Sequence, residues 1–198
     1  MRIEEEEDQK KHITISPGEY YASVEDVIIS TLLGSCVAAC LYDPVRQIMG
    51  MNHFLLSNPR YARRMPFAAT EAGRYGIHAM ELLINAMFKL GARRENIYAK
   101  AFGGASLLQL RTADNFSCVG EVNVRFIREF LENEKIPLVS EDLGGESGRV
   151  VHFCSGSFSV YVRKIRKDVN PELASKERKF WSRSIESQKQ KVEPDLWI

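Results

Sequence analysis

Six consecutive apolar residues, Val37-Ala38-Ala39-Cys40-Leu41-Tyr42, stand between Gly34-Ser35 on one side and Asp43-Pro44 on the other. A short continuous apolar run bounded by turn residues is expected of a strand buried on both faces, which needs a layer above it and a layer below. Val27-Ile28-Ile29 reads the same way. Asp43-Pro44 closes the longer run with a turn, and Ile48 to Leu56 can return as its antiparallel neighbour. From Thr70 to Leu90, the residues Met80, Leu83, Met87 and Leu90 follow the spacing of one helix face, with Gly91 as a terminating residue. That stripe reads as core. Ile97 to Phe102 is a further strand, a second helix runs from about Gly120 to Asn133 with Val124, Ile127 and Leu131 inward, and Val150–Cys154 with Phe158–Val162 reads as a hairpin around Ser155-Gly156. Strands outnumber helices and the helices fall mid-chain. The pattern is an α/β layered domain, not a doubly wound dinucleotide-binding unit.

A chain of 198 residues fits one domain with short tails. At that size folding buries roughly 70% of the surface that the unfolded chain exposes, so no disulfide staple is needed. Hydrophobic residues at 44% and charged residues at 27% exclude wholesale disorder. Lys+Arg 27 against Asp+Glu 26 speaks against a dedicated nucleic-acid binder. No apolar run approaches the ~20 residues that span a bilayer, and MRIEEEEDQKK is too acidic for a secretory or transit signal, so a cytoplasmic protein is expected. Cys36, Cys40, Cys118 and Cys154 are few and irregularly spaced, which suits buried thiols better than a disulfide framework. Charge concentrates at the ends. Glu4 to Asp8 is acidic, and between Arg163 and Lys191 ten Lys/Arg face four Asp/Glu. The expected organisation is an acidic tail over 1–12, the folded domain over 13–168, and a basic tail over 169–198, both ends solvated and poorly ordered.

The chemistry concentrates at Ser30-Thr31-Leu32-Leu33-Gly34-Ser35-Cys36. Gly-Ser directly before a cysteine lets the backbone turn tightly and approach a substrate. Cys36 then starts a buried strand or a short helix, and either setting offers the N–H groups of Ser35 and Cys36 to a developing oxyanion. His53 lies seventeen residues on, inside an apolar strand. If the two strands pair through Asp43-Pro44, Cys36 and His53 meet near the far ends of the ladder, where imidazole can take the thiol proton and the thiolate can attack a carbonyl carbon. A hydroxyl from Ser30 or Thr31 would hold the other ring nitrogen. The competing readings are a Cys and a His that merely share a core, and a zinc site of Cys36, Cys40 and His53, which lacks a fourth ligand and the usual C-x₂-C spacing. His12, His78 and His152, like Cys118 and Cys154, lack a partner motif. Phe102-Gly103-Gly104-Ala105-Ser106 has no complete phosphate-loop pattern and suits close backbone packing better.

Leu33-Gly34-Ser35-Cys36-Val37-Ala38, the spaced His53, Lys100-Ala101-Phe102-Gly103-Gly104-Ala105 and Glu141-Asp142-Leu143-Gly144-Gly145 together resemble the CheD family, the chemoreceptor glutamine deamidases of bacterial chemotaxis. The resemblance covers about residues 17–167. It implies a three-layer α/β domain with a mainly antiparallel β core flanked by helices, similar to deamidase toxins of the cytotoxic-necrotizing-factor type. It implies a hydrolase, a protein-glutamine glutaminase acting on the cytoplasmic helices of methyl-accepting chemotaxis proteins, without cofactor or metal. Cys36 matches the nucleophile and His53 the base. The family's hydroxyl position falls on Ser30, with Thr31 adjacent. The alternative is a non-catalytic module that docks on receptors or on a CheC-like phosphatase.

Overall fold

Alternation of burial along the strands sorts them into two sheets, with the two long helices packed on one of them. The computed structural model describes residues 1–5, 10–56, 71–106, 119–165, 172–173, 175–180 and 182–183. The strands are β1 (Arg2–Glu5), β2 (Lys11–Thr14), β3 (Tyr20–Ser23), β4 (Val27–Leu33), β5 (Val37–Asp43), β6 (Ile48–Asn52), β7 (Tyr98–Gly103), β8 (Leu138–Leu143), β9 (Arg149–Cys154) and β10 (Val160–Lys164). Helix α1 spans Glu71–Lys89 and α2 spans Val119–Asn133. One sheet has the order β1-β2-β4-β9-β10 and the other β3-β6-β5-β7-β8. Among the described strands only the β2/β4 and β7/β8 pairings are parallel, so the core is mainly antiparallel.

β5 is the central strand that its composition requires. Val37, Ala39 and Leu41 face α1 and α2, packing with Met80, Leu83, Met87, Phe126, Ile127 and Leu131. Ala38 and Cys40 face the other way, into an inter-sheet core with Ile13, Ile29, Leu33, Met51, Val151 and Phe153. The layers are therefore sheet, sheet, helices. β6 pairs with β5 through the Asp43-Pro44 turn, with Cys40 opposite Met51.

Some expected details differ. Leu90 is 40% exposed, because α1 stops at Lys89 and the next residue has left the helix face. Phe158 lies in the turn between β9 and β10, where Phe153 pairs with Val160. β1, β2, β3 and β8 carry too little apolar patterning to announce themselves. The ends also depart from the expectation of solvated, unpaired segments. Arg2–Glu5 is a strand against β2, and residues 172–173 and 175–180 are helical, with Leu173 and Glu177 buried. Cys118, Thr70 and the far C-terminus lie outside the described residues.

Candidate active site

The chain leaves the first sheet at Leu33 and enters the second at Val37, so Gly34-Ser35-Cys36 is the crossing between them. Three consecutive carbonyls of this crossing are held from behind. Ala105 N–H donates to Gly34 O at 2.7 Å and Gly104 N–H to Cys36 O at 2.7 Å. Asn123 of α2 donates through Nδ2 to Ser35 O at 2.8 Å, while its Oδ1 accepts from Leu56 N–H at 2.9 Å. Gly103 lies against the same loop: a Cβ there would stand 2.2 Å from Cys36 O, and its φ of +112° belongs to glycine. The Gly103-Gly104 segment is thus close backbone packing behind the cysteine.

With the carbonyls engaged behind, the three N–H groups point forward together. Gly34 N–H donates to Glu177 Oε1 at 2.8 Å, Ser35 N–H to Oε2 at 2.7 Å and Cys36 N–H to Oε1 at 3.3 Å; the Ser35 hydroxyl adds a bond to Oε2 at 2.6 Å. Successive N–H groups turned to one side form a cradle for negative charge.

His53 is fixed by its own backbone, its N–H donating to Glu19 O and its carbonyl accepting from Gly18 N–H, while Phe54 and Val37 exchange a bridge. Its Nδ1 lies 2.7 Å from Thr31 Oγ1. The Thr31 hydroxyl donates its single proton to Ile15 O at 2.8 Å, so towards His53 it can only accept. Nδ1 therefore carries the ring proton and Nε2 keeps its lone pair. Nε2 is buried and has no hydrogen-bond partner among the described residues. A ring nitrogen of His53, Cys36 Sγ and a Glu177 oxygen lie within 4.8 Å of one another.

Cys36 is 0% exposed, His53 2% and Glu177 3%. Burial pushes the Cys36 thiol well above its ordinary range, and the charge and hydrogen bonding of Glu177 push the same way. Burial lowers His53 to about 3, against a smaller opposing pull from Glu19. The pair stands as thiol and neutral imidazole.

Ser30 sits elsewhere. It occupies the other face of β4, where its hydroxyl meets His152 Nδ1 at 2.7 Å. Adjacent strand residues point to opposite faces, and Thr31 shares the inward face with Ile29 and Leu33. Cys40 is buried opposite Met51 and Lys100, apart from the three-group cluster. Cys36, His53 and Glu177 are the ligand types that could hold a metal, but both Glu177 oxygens already accept backbone hydrogen bonds, which suits a carboxylate in a cradle better than a metal ligand. His12 lies in β2, His78 on the exposed side of α1, and Cys154 ends β9.

Asn123, Glu177 and the role of the Gly34 N–H as a third donor escaped sequence reasoning. Asn123 had a signal: it is a polar residue four before Ile127, on the inward stripe of α2. Glu177 had one only in hindsight, four after Leu173 and three before Phe180 in a segment that otherwise reads as charged.

A buried thiol, an imidazole with a buried nitrogen that has no partner among the described residues and a cradle of backbone donors meet in this α/β domain, and these are the group types that thiol chemistry at a carbonyl carbon uses. The family model described as CheD chemotactic sensory transduction matches residues 57–164. A Geobacter sulfurreducens protein named probable chemoreceptor glutamine deamidase CheD 1 is 59% identical over 94% of each chain. A Shewanella oneidensis protein named probable chemoreceptor glutamine deamidase CheD 2 is 48% identical over 84% of this chain and 83% of its own. This chain belongs to the CheD family. Among solved structures, the Bacillus licheniformis hypothetical protein YfiH aligns with a TM-score of 0.36 at 17% identity, over 65% of this chain and 50% of its own. No described helix is long and apolar enough to cross a membrane.

Proposed function

We propose that this chain hydrolyses glutamine side-chain amides to glutamate on the cytoplasmic helices of chemoreceptors, with Cys36 as nucleophile, His53 as base and Thr31 as the residue that orients it. The observation that carries this is the one-way hydrogen-bond chain from His53 Nδ1 through Thr31 to Ile15 O, which leaves Nε2 free as the base of a ring that stands within 4.8 Å of the Cys36 thiol. Nε2 takes the thiol proton as sulfur attacks the amide carbon, and the N–H groups of Gly34, Ser35 and Cys36 receive the oxyanion. The C–N bond breaks as the imidazolium returns a proton to the departing ammonia. Water, deprotonated by Nε2, then forms the new C–O bond; the C–S bond breaks, the thiol regains its proton and glutamate leaves. Glutamine and water become glutamate and ammonia.

A new carboxylate on the receptor alters charge repulsion within its helical bundle, the means by which charge-changing modifications act. The names carried by close relatives support the substrate. The same reading places the protein in the cytoplasm, gives it a fold akin to the cytotoxic-necrotizing-factor deamidases, and admits a CheC-like phosphatase as a docking partner. The domain expected over residues 13–168 holds Cys36, His53 and Thr31 and is the part assigned to catalysis. Intact-mass analysis of a receptor cytoplasmic fragment incubated with the protein tests it. Gain of the mass that separates –OH from –NH₂ at defined glutamines is expected. An unchanged fragment overturns the assignment.

A further inference from the structure

The N–H cradle described above is filled by the chain itself. Glu177 reaches it from a helical segment whose inward positions are Leu173, Glu177 and Phe180, while residues 172, 175, 176, 178 and 179 face outward. Spacings of four and three residues place these three side chains on one helix face. Leu173 packs on Gly148, where an added Cβ would stand 2.7 Å from Leu173 Cδ2. Phe180 packs beside Gly18, 3.5 Å from the corresponding position there, and joins the margin of the inter-sheet core. The groove thus runs from Gly148 to Gly18 across the Gly34-Ser35-Cys36 crossing. Its occupant is an amphipathic helix held by two apolar anchors and one central carboxylate, a recurrent mode of helix recognition.

The central group is also the product of the proposed reaction. Glu177 offers a γ-carboxylate on a helix to four donors, within 4.8 Å of both Cys36 and His53. A receptor helix bearing a newly formed glutamate would present the same group from the same kind of backbone. With this segment in place Cys36 has no exposed surface, so an external substrate must displace it.

We propose that the helical segment around Glu177 is a built-in product analogue: Leu173, Glu177 and Phe180 fill the groove that takes a substrate helix, with the Glu177 carboxylate where the product carboxylate lies. The inference rests on the deamidase reading and sharpens it. The groove selects a glutamine in the middle of a helix with large apolar residues four positions before and three positions after it, and the chain's own tail competes with that helix.

The test makes the analogue into a substrate. Full-length Glu177→Gln protein and the Glu177→Gln, Cys36→Ala double variant are purified and mapped by peptide mass at residue 177. In the single variant the introduced amide is hydrolysed back to the acid in cis; in the double variant it persists. In parallel, Glu177→Ala frees the groove, so Cys36 is alkylated by iodoacetamide roughly tenfold or more faster and KM for a receptor fragment falls by a similar factor, as expected when a competing bound state is removed. An amide that survives in the single variant while that same protein deamidates the receptor fragment overturns the inference and leaves the deamidase reading standing. Unchanged alkylation and KM in a folded Glu177→Ala protein also overturn it. If wild type and both Glu177 variants leave receptor fragments untouched, the deamidase reading itself falls.

Discussion

The two sides of the Gly34-Ser35-Cys36 crossing are built on opposite principles. Behind it, three carbonyls are bonded to Ala105, Asn123 and Gly104, and Gly103 approaches so closely that no side chain fits. In front, the same three residues are covered by a short segment on two apolar anchors and one carboxylate. The rear is made of backbone locked into a domain core; the front is made of side chains on a tail. A loop that must hold an oxyanion within a few tenths of an ångström needs the first kind of support. A groove that must accept and release a helix needs the second.

Removing the group that both sides serve gives the largest effect. Cys36→Ala should abolish glutamine conversion in a mass assay while the protein melts near the wild-type temperature, since the change is small and apolar. Retained turnover would show that the rear scaffold presents some other nucleophile. Next comes the scaffold itself. Gly103→Ala forces a Cβ against Cys36 O from a backbone region that disfavours side chains, and about 3 kcal/mol or more should be lost in urea unfolding, with turnover falling too. A stable, active Gly103→Ala protein would show that the rear yields as readily as the front.

The relay offers a sharper contrast between neighbours. Thr31→Ala should slow deamidation by roughly 10–1000-fold, the range of general acid–base contributions, and Thr31→Ser should restore much of it. Ser30→Ala, which loses only the His152 contact on the outer face, should stay within about twofold of wild type. Equal effects at both positions would contradict the division of β4 into two faces. Acid adds a smaller effect. Folded His53 resists protonation down to about 3, whereas in the unfolded chain it protonates around the ordinary 6.5. The unfolded state then binds more protons between those values, so His53's contribution to stability is complete above about 6.5 and is lost as pH falls towards 3. The slope is at most about 1.4 kcal/mol per pH unit. His53→Gln should flatten the pH dependence of urea unfolding over that window; an unchanged slope would place the titrating group elsewhere. Smallest of all, Phe180→Ala should leave the global melting temperature within a few degrees and speed Cys36 alkylation severalfold, because it loosens only the front.

The strand frame behind the site was legible in the sequence, although Asn123 was not. Val37–Tyr42 had to be a strand covered on both faces, Asp43-Pro44 had to reverse it, and those two facts bring His53 towards Cys36. Which hydroxyl faces the imidazole was not legible from β4 itself. Ile28 and Leu32 are as apolar as Ile29 and Leu33, so hydrophobicity does not fix which alternate residues point inward, and the family spacing pointed to Ser30. The inward parity is set by long-range packing against Val151 and Phe153. The front was illegible for a different reason. Glu177 sits among lysines and arginines that suit a solvated tail, and only the shape of the folded groove distinguishes it from Glu172.

One hydrogen atom decides the direction of the relay. Thr31 gives its proton to the carbonyl of Ile15, immediately after β2, a strand that lies parallel to β4 and contributes no side chain to the thiol cluster. Because the acceptor is main chain, no substitution of the Ile15 side chain deletes it; only a shift of the strand can. On the proposed mechanism, the polarity of the proton path is therefore written in the register between two neighbouring strands, and a slip there would silence the enzyme with every reacting residue still present.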